Sequence, residues 1–120
     1  RTGVFDDYVR NDRLVSYHVS VSRYDDKGEH TGVSNWRRNP GLVLMKEGPD
    51  LCQEINRWYR IRLIKDGGHC QLGVDGKLAH EFTDPGELKS PLPADGKIGF
   101  RAIGSDVRLL IRNLKVTALR

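Results

Sequence analysis

The sequence predicts an all-β protein, an antiparallel β-sandwich formed as a single domain over residues 1–120. Three observations lead to this prediction. Short apolar runs alternate with polar residues from Arg57 to Leu119, Asp-Gly and Gly-Ser pairs interrupt these runs at hairpin spacing, and no stretch holds a convincing helical period. About nine short strands separated by regular turn signals are typical of a sandwich or a jelly roll.

Each predicted strand is an alternating run bounded by turn residues. In the run Trp58–Lys65, for example, Tyr59, Ile61 and Leu63 share one face and the arginines lie on the other. In chain order the predicted strands are Tyr8–Val9, Leu14–Tyr24, Gly32–Arg37, Leu42–Lys46, Trp58–Lys65, Cys70–Val74, Lys77–Phe82, Lys97–Ile103 and Val107–Leu119.

Two stretches depart from the strand pattern. The loop Thr83–Gly96 contains three prolines, so it cannot be a central strand. Leu51, Ile55 and Trp58 could line one face of a short helical turn within Asp50–Trp58, although a connector entering the next strand explains the stretch equally well.

The start of the chain bears on location and on the completeness of the sheets. No apolar run has the length needed to cross a membrane, so no membrane partner is predicted. The opening residues RTGVFDDYV show no signal segment and resemble the middle of a pattern. We therefore expect the chain to be the later part of a longer jelly roll and to lack the N-terminal strands of that fold. Localisation stays open, with an extracellular or periplasmic location favoured.

The charge of the chain is moderately basic. The net charge is +4, from 20 Lys and Arg against 16 Asp and Glu, and the basic residues are scattered rather than gathered in one run. This distribution argues against a nucleic-acid partner. It is consistent either with a mixed, solvated surface or with a bias toward acidic partners such as uronate sugars.

The two cysteines leave two alternatives open. Cys52 and Cys70 could form a disulfide in a secreted domain, whereas the apolar phase of Cys70 in its strand indicates a buried thiol. No C-x-x-C pair and no Cys/His cluster with ligand spacing occurs, so the sequence predicts no metal site and no cofactor.

One predicted strand carries an unusual polar face. The Val15, Tyr17 and Val19 side of Leu14–Tyr24 suits a core. The other side presents hydroxyl groups, an imidazole and a phenol, without lysine or glutamate, from Ser16, His18, Ser20, Ser22 and Tyr24. Such groups exchange hydrogen bonds at low side-chain entropy, which suits a polyhydroxylated ligand. Cross-strand pairing of hydroxyls on an exposed face explains the same pattern without a ligand.

The following strand adds groups that recognise sugars. Asn35 and Arg37 lie two residues apart, so they share a face and extend the polar one if the strands are neighbours. Arginine matches a carboxylate with its planar fork, and Trp36 offers a ring for stacking on a sugar. The alternatives are a core position for Trp36 and a solvated or ion-paired Arg37. The predicted ligand-binding residues are His18, Ser20, Ser22, Tyr24, Asn35, Trp36 and Arg37.

No catalytic constellation stands out. The glutamates fall mostly in turns or at strand ends, whereas glycoside hydrolysis needs facing carboxylates, and no G-x-S-x-G elbow is present. β-Elimination from a uronate needs a group that neutralises the substrate carboxylate and a proton carrier. Arg37 supplies the first residue type and Tyr24 or His18 the second. His69 and His80 flank hairpin turns, and we expect both to be surface histidines.

The most distinctive segment is Asn35–Gly48, with its N-W-R-R-N-P-G core, followed by the hairpins WYRIRLIK to GKIGFRAIG. Over nearly the whole chain the sequence resembles the YesU-like family of concanavalin A-like, galectin-fold jelly rolls. The resemblance implies a jelly-roll fold in proteins that are longer and start earlier. It also implies an association with bacterial degradation of acidic polysaccharides, and it offers no established catalytic residue to transfer.

Three functions are consistent with the sequence. The first is a carbohydrate-binding sandwich associated with polysaccharide degradation, whose polar face holds an oligo- or polysaccharide. The second is a polysaccharide lyase or glycoside hydrolase that uses the same face. The third is a structural interaction module without a small ligand.

Overall fold

The computed structural model describes residues 14–86, 92, 96–104 and 106–119. Within them the chain is all-β, with two three-stranded antiparallel sheets and no helix, so none of these residues belongs to a helix that could cross a membrane. The predicted fold class, an antiparallel β-sandwich, is confirmed. The strands are β1 Ser16–Ser20, β2 Val33–Asn39, β3 Val43–Pro49, β4 Ile61–Asp66, β5 His69–Val74 and β6 Lys77–Thr83.

The first sheet has the order β1-β2-β3. Its β2–β3 connection is a three-residue turn, in which Gly41 and Leu42 have positive φ and the Asn39–Pro40 peptide is cis. Asn39 supports this turn by accepting a hydrogen bond from the Leu42 backbone N–H at 3.1 Å. A bulge shifts the β2–β3 register between Trp36 and Arg37.

The second sheet has the order β4-β5-β6. The β5–β6 hairpin turns at Asp75 and Gly76, which both have positive φ, 49° and 79°, as a two-residue hairpin turn of the favoured hand requires. β6 packs beside β3 of the first sheet. The contact is close, because a Cβ on Gly48 would lie 2.8 Å from the carbonyl oxygen of Ala79 and from the ring of His80. Glycine is therefore required where the two sheets meet.

The core lies between the two sheets and is centred on Trp36 of β2, which is 3% exposed. Its ring packs edge-on against Tyr17 of β1 and Phe82 of β6, with centroid separations of 5.8 and 5.4 Å. Both geometries are favourable for aromatic pairs. The remaining buried apolar residues are Cys52, Cys70, Leu72 and Val74.

A buried ion pair crosses the core beside these rings. The Arg38 Nη1 donates to both carboxylate oxygens of Asp84, at 2.9 and 2.8 Å, and both side chains are at most 1% exposed. Asp84 also accepts hydrogen bonds from the Tyr17 hydroxyl and the Gly86 backbone N–H. Burial, and then the hydrogen bond to Asp84, raises the pKa of Tyr17, so this hydroxyl stays protonated.

A second polar contact joins the sheets near Gly48. The Ser34 hydroxyl lies 2.8 Å from the Pro49 carbonyl oxygen and 2.7 Å from His80 Nε2. Because a carbonyl can only accept, the serine donates to Pro49, and His80 Nε2–H then donates to Ser34. The expectation that His80 lies at the surface is wrong, because it is 1% exposed. Burial, reinforced by Lys46, lowers the pKa of His80.

Other sequence predictions differ from the structure or lie outside it. No strand is assigned in residues 96–104 or 106–119, where strands Lys97–Ile103 and Val107–Leu119 were predicted. The alternation of apolar and polar residues in these segments is compatible with a strand, but a strand also needs a neighbouring strand edge to pair with. Apolar side chains of these segments, such as Phe100 and Leu110, are exposed. The predicted strand Tyr8–Val9 lies outside the described residues.

Replacing Asp84 with asparagine should strongly destabilise the fold, because the buried charge of Arg38 would lose the carboxylate that accepts two of its hydrogen bonds. We expect a loss of about 3 to 5 kcal/mol in the free energy of unfolding, measured by urea denaturation. The matched control, Asp26→Asn at an exposed turn, should change it by less than about 0.5 kcal/mol. Similar small losses in both variants would contradict a central role for the ion pair.

The stability of the fold should decline as the pH falls below 6.5, the ordinary pKa of histidine. There the unfolded chain takes up a proton at His80 while the folded chain, with its lowered pKa, does not, so unfolding is favoured. Urea denaturation at about pH 7 and about pH 5 measures the loss. His80→Gln should lose less stability than the unmodified chain. An undiminished loss in His80→Gln would refute this assignment.

Candidate functional site

The non-core face of β1 and β2 carries a continuous set of polar side chains, which we call the polar face. The strand register places Ser16 opposite Asn39, His18 opposite Arg37, and Ser20 opposite Asn35. Directly opposed residues share a face of an antiparallel sheet, so these side chains lie on one surface. Each strand contributes alternate positions, while Tyr17, Trp36 and Arg38 point to the core. The polar face consists of Ser16, His18, Ser20, Asn35, Arg37 and Asn39.

The structure brings together four of the predicted ligand-binding residues, His18, Ser20, Asn35 and Arg37. It does not bring Ser22 and Tyr24 to the same place. β1 ends at Ser20, and Ser22 has a φ of 52°, so the alternation that would align its successors with His18 is broken. Tyr24 instead forms a bridge to His30 and packs edge-on against its ring.

Trp36 lies on the opposite side of β2 from the polar face. Its ring is covered by Tyr17 and Phe82, and only 3% of the residue is exposed. A ring in this position has no free face for a sugar, so the structure supports the core role of Trp36 rather than stacking on a ligand. We do not include it in the site.

Asn35 is the most unusual member of the polar face. It is 3% exposed, and its carboxamide oxygen Oδ1 has no hydrogen-bond partner. Most buried polar side-chain atoms find a partner, because leaving one unpaired costs about 1 to 3 kcal/mol. The oxygen is enclosed by its neighbours, so a ligand hydroxyl does not reach it in this conformation. Its position between Ser20 of β1 and Glu47 of β3 places that acceptor inside the polar face.

Positive charge surrounds His18. Burial lowers its pKa, and the positive charges of Arg101 and Arg37 lower it further, so the imidazole is neutral at neutral pH. Arg37 is positioned by a hydrogen bond from its Nη1 to the Leu42 carbonyl oxygen at 2.9 Å. This bond orients the guanidinium without neutralising it, because a carbonyl carries no net charge. The face therefore combines a neutral imidazole with a cationic environment.

Sequence reasoning missed parts of this face. Asn39 was not selected, although its Nδ2 donates to Ser16 Oγ at 3.2 Å and extends the face to the β2–β3 turn. Glu47 of β3, directly opposite Asn35, was not selected either. The alternation of β2 could have identified Asn39, since it continues the series of Asn35 and Arg37. Arg101 could not be identified, because nothing in the sequence links it to β1.

The Ser34–His80 pair is not a second reactive site. A serine nucleophile needs a histidine that accepts its proton, whereas His80 donates to Ser34 and the serine proton is directed to Pro49. A surface cleft at the β5–β6 turn is lined by Lys77 and by Arg57, which pairs with Glu54 and Asp75 at 3.0 and 3.2 Å.

The described residues contain no group of three or more His, Cys, Asp or Glu placed to hold a metal ion. Cys52 and Cys70 are both free thiols in the structure and both are buried. Burial, followed by the negative charge of Asp50, raises the pKa of Cys52 to about 11. Burial likewise raises the pKa of Cys70. Neither thiol is activated as a nucleophile.

The fold and this face define an antiparallel β-sandwich protein with a polar patch on one sheet, which carries Arg37 and is bordered by Glu47. The chain belongs to the DUF1961 family, described as a domain of unknown function, whose match covers residues 1–116. It is 31% identical over 105 residues to the uncharacterized protein YesU of Bacillus subtilis (strain 168), across 84% of this chain and 47% of that protein. The chain thus spans about half the length of this curated relative. No solved structure matches the chain.

The electrostatic environment of His18 can be measured directly. We expect an NMR titration of its ring protons to give a pKa below the ordinary value of 6.5. Arg37→Gln should raise this pKa, because it removes a nearby positive charge while leaving the imidazole in place. Arg60→Gln removes an equal charge from the second sheet and should leave the titration of His18 unchanged. Equal titration curves in all three proteins would show that Arg37 does not act on His18.

Proposed function

We propose that this protein binds an oligo- or polysaccharide on the polar face of its first sheet. The observation that carries the proposal is the strand register, which aligns His18 with Arg37 and Ser20 with Asn35 on one face. Sugar hydroxyls can both donate to and accept from hydroxyl, imidazole and amide groups of this kind. Ser16 and His18 extend the same surface along β1, which suits a chain of several sugar units.

The charges of the site favour an acidic sugar. Arg37 acts on His18, and its guanidinium group matches the planar geometry of a carboxylate. The excess of basic residues in the whole chain points in the same direction. We therefore propose a uronate-containing chain as the ligand, bound with its carboxylate toward Arg37.

The resemblance of the sequence to YesU-like jelly rolls leads to a finer proposal for fold and setting. We propose that the sandwich is part of a concanavalin A-like jelly roll and that the protein acts in the degradation of acidic polysaccharides. Two three-stranded antiparallel sheets facing each other are consistent with part of such a fold. An extracellular or periplasmic location would place the protein with such substrates.

A second candidate function is a polysaccharide lyase at the same face. The observation in its favour is the lowered pKa of His18, which supplies a neutral imidazole as base beside an arginine. In β-elimination His18 would take the proton from the carbon next to the carboxylate. The electron pair would then form the new carbon–carbon double bond as the glycosidic oxygen leaves and takes up a proton from the imidazolium of His18 or from solvent. Arg37 would stabilise the charge that develops on the carboxylate.

Calorimetric titration with an oligogalacturonate, compared with a neutral galactose oligomer of the same length, tests the binding proposal. We expect tighter binding of the uronate and at least about a tenfold loss in Arg37→Ala, since a hydrogen bond to a charged group contributes about 1.5 to 3 kcal/mol. Asn35→Leu should also weaken binding. Tyr24→Ala, which lies off the polar face, and Arg60→Ala, on the other sheet, serve as controls and should change affinity less than threefold.

The same protein samples separate the remaining functions. A rise in ultraviolet absorbance from unsaturated sugar ends during incubation with the uronate would support the lyase, and its loss in His18→Gln would assign the base. Binding without this signal would leave a binding protein. Absence of binding to a broad set of acidic and neutral glycans would refute the proposal and favour an interaction module.

A further inference from the structure

Within the described part of the chain, the outer edge of β4 has unpaired backbone groups, and their direction follows from the pairing of β4 with β5. Arg60 directs both of its backbone groups toward β5, because its carbonyl accepts from Asp75 N at 2.9 Å and its N–H donates to Asp75 Oδ1 at 2.8 Å. Backbone direction alternates along an antiparallel strand, and the β4–β5 register has no irregularity. The N–H and C=O groups of Ile61, Leu63 and Lys65 therefore point outward from the sheet. Among the described residues, no strand pairs with this edge.

The same edge exposes part of the core face of the second sheet. Ile61 lies opposite Val74 and Leu63 opposite Leu72, so all four side chains share a face. Val74 and Leu72 are buried, whereas Ile61 and Leu63 are 43% and 54% exposed. The apolar surface of the sandwich thus continues to the open edge. A further strand at this edge would cover it.

From this geometry we infer that β4 is an interaction edge whose partner is β4 of a second copy of this chain. A two-fold axis at Leu63 places this residue directly opposite Leu63 of the second copy. The two residues can exchange both backbone hydrogen bonds, because the N–H and C=O groups of Leu63 point outward. The same axis pairs Ile61 with Lys65 of the second copy. The two sheets then form one continuous sheet, with the exposed apolar side chains side by side on its inner face.

Charge complementarity specifies this register. The axis at Leu63 places Arg60 opposite Asp66 of the second copy, and symmetry repeats the pair at the other end. Both side chains are exposed, and among the described residues neither forms an ion pair within its own chain. Opposite charges directly across a strand pair are favourable and like charges unfavourable. No like charges face each other in this register, since Arg62 lies opposite Ile64 of the second copy.

The inward-facing Lys65 is compatible with this pairing. Charged side chains on the inner face of an edge strand usually discourage association. In this register each Lys65 lies beside Ile61 of the second copy, at the end of the paired segment, where its methylene stem covers the isoleucine and its ammonium reaches solvent. The interface is small, so we expect a weak dimer with a dissociation constant of the order of 10 to 100 μM.

Sedimentation velocity of the full chain between about 1 μM and about 1 mM tests the inference. We expect a concentration-dependent monomer–dimer equilibrium. Arg60→Asp or Asp66→Arg alone should weaken it roughly tenfold by placing like charges opposite each other, and the double exchange should restore it to within about threefold. This recovery depends on the register and would not follow from a general effect on folding.

A backbone variant provides a second, independent measurement. Leu63→Pro removes an outward N–H without removing a bond to β5, and it should leave the chain monomeric with its circular dichroism spectrum retained. Lys77→Asp, an exposed charge change on β6, is the control and should leave the dimer intact. A chain that remains monomeric at about 1 mM would overturn the inference. A dimer insensitive to the charge exchange would overturn it as well, because association would then use another surface.

Discussion

The buried Arg38–Asp84 ion pair is the constraint on which the rest of the sandwich depends. A charge placed in the core is costly unless a partner and additional hydrogen bonds compensate it, and here Tyr17 and Gly86 complete the partners of Asp84. Because the ion pair joins β2 to the segment after β6, it aligns the two sheets. It also determines which side of β2 faces inward.

The polar face is a consequence of that alignment. Once Arg38 and Trp36 point into the core, Arg37 and Asn35 must lie on the other side of the strand. A one-residue shift of β2 would exchange these two sets and bury Arg37 without Asp84. The residues that hold the fold together and those that form the candidate site thus alternate along a single strand. Neither set could move without the other.

Local patterns were sufficient to predict the hairpins but not the pairings between distant segments. β5 and β6 were predicted to within a residue at either end. Asp75 and Gly76 identify the turn, and the alternation of apolar and polar residues identifies the strands on both sides of it. The common face of His18 and Arg37 followed from the period of two. The burial of His80 was not predictable, since it depends on Ser34, 46 residues away. The end of the strand alternation at Ser22 was also not predictable, because a positive φ at a serine has no clear sequence signal.

The unpaired oxygen of Asn35 has a consequence for how this sequence was selected. A leucine of similar size at this position would remove a buried polar atom without a partner and would make the isolated protein more stable. Selection for stability alone would favour that exchange. Retention of the less stable residue is what the binding function proposed above predicts for this face, because binding sites trade stability for activity.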